Sequence, residues 1–330
     1  MREIPLNTDT SAADEPSLVG PLNKTIQDLL GNISRVVLGK EDVSRLCLVA
    51  LMAGEHVLLE DVPGVGKTLM GKALAKSVSA EFCRIQFTPD LLPSDIVGSS
   101  IFNSRDSQFE FVPGPVFNHF VLADEINRAP PRTQSALLEA MSDGQVSVDG
   151  CSHPLAQPFM VIATQNPFEF EGTYVLPESQ MDRFLIRISM GYPERKDERE
   201  ILASHRLGQP VQQMEPVCTP ADILDIQKAV RNVDVEQSIS DYMLDIVEAT
   251  RQSPRLSVGV STRGVLLWYR AVQAHALIDG RRYAVPDDAK QLAVPVLSHR
   301  VQLPGGMRGA TRDELESVMR DIVSQTPLPG

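Results

Sequence analysis

The run Asp61-Val-Pro-Gly-Val-Gly-Lys-Thr68 brings together the residue types that hold a phosphate chain. Glycines let the backbone curl until successive N–H groups point at anionic oxygens, and the N-terminus of a following helix adds its partial positive charge. Val62, Pro63, Gly64, Val65, Gly66, Lys67, Thr68 and Leu69 are therefore the candidate nucleotide contacts. Lys67 would lie against the β- and γ-phosphates, and the Thr68 hydroxyl would ligate Mg²⁺. Asp61 occupies the place where the full phosphate-loop pattern has its first glycine, so its carboxylate must either turn away from the triphosphate or weaken its binding. A second chemical element is Phe120-Val-Leu-Ala-Asp-Glu125, an apolar strand delivering two acids at its carboxyl end, where α/β sheets place their ligand sites. Asp124 would hold Mg²⁺ through water, and Glu125 would polarise the attacking water. Adjacent acids after a strand are common as solvated turns. Their conjunction with the glycine loop is what makes them a candidate ATP-hydrolysing site.

Ala163-Thr-Gln-Asn-Pro167 ends another apolar segment, and its Asn166 amide could orient a water between Glu125 and the γ-phosphate. Arg183 lies in Leu176-Pro-Glu-Ser-Gln-Met-Asp-Arg-Phe184, and Arg263 opens a later helical segment. An arginine on a γ-phosphate spreads transition-state charge and is worth about 10³–10⁵ in rate in such enzymes. Taken alone, each of these arginines reads first as a surface salt-bridging residue.

The elements that must position these residues follow from periodicity. Apolar residues at helical spacing predict helices over 22–37 and 42–53, a strand over 56–60, the loop, and a helix over 68–80. Short apolar strands are predicted at 82–86, 120–123 and 159–163, each consistent with a parallel sheet buried on both faces. Two β excursions interrupt the alternation: 98–115, with Phe109 and Phe111 alternating, and 145–158, centred on an Asp149-Gly150 hairpin turn. From Pro193 onward helices take over, at 194–206, 220–231, 240–252, 262–279 and 286–299. Thr219-Pro220 and Ser261-Thr262 are helix starts and Gly280 a stop. The expected organisation is a tail over 1–20, an α/β nucleotide-binding domain over 21–192, a helical lid domain over 193–325 and a short tail over 326–330.

Composition narrows the class. The 330 residues carry 42% hydrophobic and 22% charged side chains, ordinary for a soluble globular chain. A net charge of -12 disfavours a field that draws nucleic acid or anionic lipid to the whole surface. The widely spaced Cys47, Cys83, Cys151 and Cys218 form no zinc pattern and suit a reducing compartment. No apolar run approaches the roughly 20 residues of a membrane span, and the first residues lack a signal-peptide core, so a cytoplasmic protein without stable membrane insertion is expected.

Together these blocks resemble the MoxR family of AAA+ ATPases. The most specific is Leu122-Ala-Asp-Glu-Ile-Asn-Arg-Ala-Pro-Pro-Arg-Thr-Gln-Ser-Ala-Leu-Leu-Glu-Ala-Met141, supported by Ala163-Thr-Gln-Asn-Pro167, Glu171-Gly-Thr-Tyr174, Leu176-Pro-Glu178 and Asp182-Arg-Phe184. The likeness covers roughly 22–300. It implies an AAA+ core and helical lid with nucleotide at their junction and at a subunit interface. It also implies Asn166 as first sensor, Arg183 as an arginine finger reaching a neighbour, and Arg263 as second sensor, acting on its own site or a neighbour's. Val37, Leu38 and Gly39 resemble the segment beside adenine and read equally as a helix end in the core. The excursions at 98–115 and 145–158 match the family's pore-facing loops. Arg128 and Arg132 have no assigned role, an interface salt bridge being the default. The implied function is chaperone-like remodelling or metal-cofactor insertion on a protein client, in a homo-hexamer, with a von Willebrand A-type partner. Alternatives within the fold are a nucleic-acid motor or transcriptional activator, a chelatase-type subunit, and a scaffold that holds nucleotide without turnover.

Overall fold

A computed structural model describes residues 19–166, 172–206, 208–305 and 312–329. Most of the expected tail over 1–20, together with Pro167, Glu171 and the terminal Gly330, lies outside them. The chain begins with α1 (Val19–Ser34) and α2 (Glu41–Ala53). Ile26, Leu29 and Ile33 recur at three and four residues and are fully buried, which fixes the inward face of α1. The expected helix over 22–37 stops early. Val36 and Val37 instead turn back on the Ile33 carbonyl and tuck into the core, and Gly39 takes φ +67° before α2 starts.

The core alternates strand and helix: β1 (Val57–Glu60), α3 (Lys67–Ser77), β2 (Phe82–Gln86), α4 (Pro93–Val97), then the hairpin β3 (Gly98–Asn103) and β4 (Gln108–Pro113). It continues through β5 (Phe120–Asp124), α5 (Pro131–Asp143), the hairpin β6 (Gln145–Val148) and β7 (Cys151–Pro154), β8 (Met160–Gln165), α6 (Glu178–Met181) and β9 (Ile186–Ile188). Among the described residues β1, β2, β5, β8 and β9 form one parallel sheet in the order β2-β5-β8-β1-β9. β1, β5 and β8 are buried on both faces, as their unbroken apolar runs require. β2 departs from that expectation. It is an edge strand, half-exposed, which leaves room for Arg84 and Gln86 in an otherwise apolar sheet.

Alternate strand residues face opposite layers. Val57 and Leu59 join α1, α2, α3 and the later helices in one apolar cluster; Leu58, Val121 and Val161 join α5 in another. The β6–β7 turn takes φ +50° at Asp149 and +78° at Gly150, as a two-residue hairpin connection demands. β9 is too short to carry a strand pattern, yet it completes the sheet beside β1.

After β9 the chain is helical: α7 (Arg195–His205), α8 (Pro220–Val230), α9 (Gln237–Gln252), α10 (Thr262–Ile278), α11 (Pro286–Leu297) and α12 (Arg312–Gln325). Thr219 caps α8 in a box with Asp222, and the Ser261 hydroxyl accepts from the Gly264 N–H to cap α10. α10 is buried along most of its length and is held by Trp268, whose Nε1 donates to the Ala289 carbonyl of α11 at 3.2 Å. Of these helices α8 and α10 pack on α2 and α11 packs on β9, so their apolar faces continue the cluster on the β1 side of the sheet.

Candidate nucleotide site

The sheet order decides which strand ends meet. β8 lies between β1 and β5, pairing Glu60 with Gln165 and Ala123 with Ala163, so the glycine loop, Asp124 and Asn166 emerge from three neighbouring strands at one edge. The loop leaves β1 at Asp61, whose N–H donates to the Gln165 carbonyl at 3.1 Å. Gly64 and Gly66 take φ +88° and +99°. A Cβ at Gly64 would meet nothing within 4 Å, so this glycine serves backbone conformation and leaves the space above the loop open. Lys67 opens α3, and its Nζ donates to the Asp61 carbonyl at 2.8 Å. A curled loop, a helix start with unsatisfied N–H groups and one lysine together fit a polyphosphate.

Asp61 resolves the conflict noted in the sequence by turning away. Its carboxylate accepts from the Val62 N–H at 2.9 Å, the Ser189 hydroxyl at 2.9 Å and the Gly191 N–H at 2.6 Å. Burial pushes its pKa up, and the hydrogen bonds from Gly191, Ser189, Val62 and Met190 more than offset this, holding it below the usual carboxylate range. Asp61 therefore anchors the loop to the segment following β9 and presents only its carbonyl to Lys67.

Asp124 and Glu125 are set by Thr164 on β8, a residue of the Ala163–Pro167 block to which the sequence assigns no role of its own. The Thr164 hydroxyl donates to Asp124 Oδ1 at 2.5 Å and accepts the Glu125 N–H at 2.9 Å. Glu125 is left-handed at φ +57°, ψ +50°, an unfavourable conformation for a non-glycine residue, held here by that bond. Its Oε2 accepts from Gln86 Nε2 at 2.8 Å and Arg128 Nη1 at 3.0 Å. Arg128 thus pairs with its own chain's Glu125, a contact that the sequence alone did not assign. Arg84 lies 2.6 Å from Asp124 Oδ2. Asn166 is buried directly beyond β8. Arg84 and Gln86 had a legible signal: two polar side chains two apart in a strand, at the edge of a site.

A cleft of about 440 Å³ borders this site, lined by Gly39–Val43, Leu46, the Ile188–Met190 segment, Val294, Pro295, Arg312 and Glu316. It adjoins the loop through Met190, whose Cε lies 3.7 Å from a Cβ built on Gly66. Of the three residues compared with an adenine-side segment, Gly39 lines the cleft, Leu38 is half-buried and Val37 is part of the core.

Arg183 and Arg263 come together elsewhere. With Glu55, His56, Ser142 and Arg270 they line a second cleft, of about 280 Å³, which shares no lining residue with the first and includes none of the loop, Asp124 or Glu125. Arg183 donates to the Leu138 carbonyl and the Ser142 hydroxyl on α5. His56 beneath it is neutral: burial lowers its pKa to about 4, and its ring bridges the Val161 N–H and the Met141 carbonyl.

The model for ATPases associated with various cellular activities (AAA) matches residues 56–186, and an AAA lid domain matches 248–322. Chaperone MoxR1 of Mycobacterium tuberculosis is 40% identical over 92% of this chain and 82% of its own length.

The chain belongs to the MoxR family of AAA+ ATPases.

Other relatives agree with that membership. A Bacillus subtilis protein named "Uncharacterized protein YeaC" is 50% identical over 90% of this chain and 93% of its own, and Protein MoxR of Methylorubrum extorquens is 28% identical over 90% and 93%. A solved structure of a candidate ATPase from Cytophaga hutchinsonii superposes with a TM-score of 0.86 at 35% identity, covering 94% of this chain and 97% of that one. The MoxR-family fold therefore holds here as an α/β core with a parallel sheet followed by a helical lid, and nucleotide binding belongs to the family's AAA core. Among the described residues no helix is long and apolar enough to cross a membrane.

Proposed function

We propose that this chain hydrolyses ATP to ADP and phosphate at a site shared between neighbouring copies, and uses the cycle to remodel a protein client. The observation that carries the reading is the separation just described. The loop, Asp124, Glu125 and Asn166 gather at one edge of the sheet, while Arg183 and Arg263 converge in another cleft. Arginines that belong to the reaction but not to their own chain's loop are supplied to a neighbour, which calls for a ring; a homo-hexamer is the form we propose.

In the proposed reaction Lys67 exchanges the Asp61 carbonyl for phosphate oxygens. Glu125 takes the proton of a water that Asn166 orients, the water oxygen bonds to the γ-phosphorus, and the bond to the ADP oxygen breaks. Thr68 and Asp124 are the residues that would hold Mg²⁺, Asp124 on release from Arg84, and the ion would neutralise charge on the phosphates. Arg183 and Arg263 of the neighbour balance the charge that develops in the transition state.

A protein client is supported by the relative named as a chaperone and by the β3–β4 hairpin, where Phe102 and Phe109 stack edge to face at 5.4 Å and stand exposed. Metal-cofactor insertion and a von Willebrand A-type partner are the specific forms we propose for that work. Cys47 and Cys218 are unpaired, buried thiols whose pKa burial pushes up to about 12, which accords with a cytoplasmic setting.

The test is the Glu125→Gln chain. It should bind ATP, lose turnover by about 10²–10⁴ as a missing general base does, and retain its client in the stalled state for identification. Equal turnover in wild type and variant would sink the mechanism. Mixing Arg183→Ala with Glu125→Gln should restore activity at interfaces that pair two intact halves, and no recovery at any ratio would refute sharing. DNA-stimulated turnover, or co-purification of nucleic acid in place of a protein, would overturn the client reading.

A further inference from the structure

The second cleft contains a cation that the reading above does not use. Arg270 lies two turns beyond Arg263 on α10, so at 3.6 residues per turn both side chains leave the same face, with Leu266 and Leu267 between them as the apolar floor. Arg270 and Arg263 thus share the cleft with Arg183, which approaches from the segment before β9. Three guanidinium groups border a space whose only lining carboxylate among the described residues is Glu55. Neither Arg183 nor Arg263 has a carboxylate partner among the described residues, whereas Arg270 Nη1 is held by Glu55 Oε1 at 3.1 Å.

A cleft where three guanidinium groups share one lining carboxylate has the charge of a polyanion site. Bringing several arginines together is unfavourable unless an anion joins them, and a phosphate chain offers several oxygens in the geometry that guanidinium forks match. Glu55 is the group such an anion would compete with. It is mostly buried, burial raises its pKa, and Arg270, Arg263 and Arg300 act to lower it. Its side chain is 15% exposed and that of Arg270 41%, so the arginine end of the pair faces the opening and the carboxylate end does not.

We infer that Arg270 is a third arginine offered to the neighbouring copy's nucleotide phosphates, with Glu55 as the counter-ion that holds it until those phosphates arrive. The inference rests on the shared-site reading above. In the free chain the pair keeps Arg270 directed into the cleft; on assembly the phosphate oxygens take over its donors while Glu55 stays behind it as a positioning residue. No bond is made or broken in this exchange beyond hydrogen bonds and ion pairs.

The experiment compares full-length Arg270→Gln, Glu55→Gln and the double variant for ATP binding, steady-state turnover and recovery on mixing with Glu125→Gln. Arg270→Gln should bind ATP like wild type, because its own loop is intact, and lose about tenfold or more in kcat, the factor of one charge-assisted hydrogen bond. On mixing with Glu125→Gln it should regain activity. The double variant separates the two roles of Arg270. If Arg270 only neutralises Glu55, removing both restores turnover and the inference is overturned; if it reaches the neighbour's phosphates, the double variant stays as slow as Arg270→Gln. Wild-type turnover in Arg270→Gln would also overturn it. Recovery on mixing for Arg183→Ala but not for Arg270→Gln removes this inference and leaves the shared site standing, while failure of both removes the shared site itself. Should Arg270→Gln fold poorly because Glu55 is left buried and unpaired, the double variant carries the same comparison.

Discussion

Gln86 Nε2 lies 2.8 Å from Glu125 Oε2, so an amide on the sheet's edge strand holds the carboxylate proposed to activate water. Arg128 binds the same oxygen from the opposite side of the sequence. A carboxylate oxygen that already accepts from two donors has fewer lone pairs free for a water proton than a released one. Gln86→Ala should therefore raise basal turnover, by up to about tenfold for one hydrogen bond to a charged group, and narrow the difference between resting and client-stimulated rates. A lower basal rate in steady-state assays would mean that Gln86 instead holds Glu125 in its working position.

Asp61 links the phosphate loop to the segment after β9 through Ser189 and Gly191. Asp61→Asn keeps the shape but replaces one of the two acceptor oxygens with a donor, which then faces either the Val62 N–H or the Gly191 N–H and the Ser189 hydroxyl. The expected cost is about 2 kcal/mol, within the usual range for donors left without a partner. Thermal melts should record the loss, while ATP affinity measured on the folded fraction should change little, since the carboxylate does not face the phosphates.

Arg300 joins the helical domain to the arginine-bearing segment. Its Nη2 donates to the Phe184 carbonyl at 2.6 Å and its Nε lies 2.9 Å from Asp182 Oδ1, directly beside Arg183. Burial lowers its pKa to about 10, against the pull of Asp182, so it remains charged at neutral pH. Arg300→Met should destabilise the fold by about 3–5 kcal/mol, the range for breaking a buried pair. Turnover per folded chain should fall as well, because Arg183 loses its support. An intact melting curve would show that the pair contributes nothing.

His56 and His299 are both buried, and burial holds both below the ordinary histidine value, His56 at about 4. For His299 the nearby Arg300 and Arg187 push the same way. The unfolded chain binds these protons near pH 6.5 and the folded chain does not, so stability rises with pH between about 4 and 6.5 and is lost on acidification through that window. His56 alone accounts for about 3 kcal/mol. Denaturant titrations at stepped pH should give a shallower slope for His56→Gln, whose amide can still serve the Val161 N–H and the Met141 carbonyl.

Much of the core was legible because it rests on local rules. The strand, glycine loop and helix around Lys67, the turn at Asp149-Gly150, and the caps at Thr219 and Ser261 each depend on residues a few positions apart, and the structure has them where periodicity and turn chemistry put them. β9, α5 and α12 are not among the elements that those rules predict. β9 is three residues long, and its strand character comes from pairing with β1, a partner remote in sequence. The same cause hides the role of Thr164, which depends on β8 lying beside β5, a pairing that no local pattern encodes.

The sequence by itself determined the chemistry available to this protein: a lysine and hydroxyl after a glycine loop, paired acids after an apolar strand, an amide after another, and arginines beyond. Those are properties of residue type and short spacing. Tertiary structure alone decided how they are grouped. It turned the Asp61 carboxylate onto Ser189 and Gly191, gave Glu125 its partners in Gln86 and Arg128, and gathered Arg183, Arg263 and Arg270 in a cleft apart from their own loop. The reason is physical. Hydrogen bonds and ion pairs act over a few ångströms, and only strand order and helix packing bring residues distant in sequence within that range.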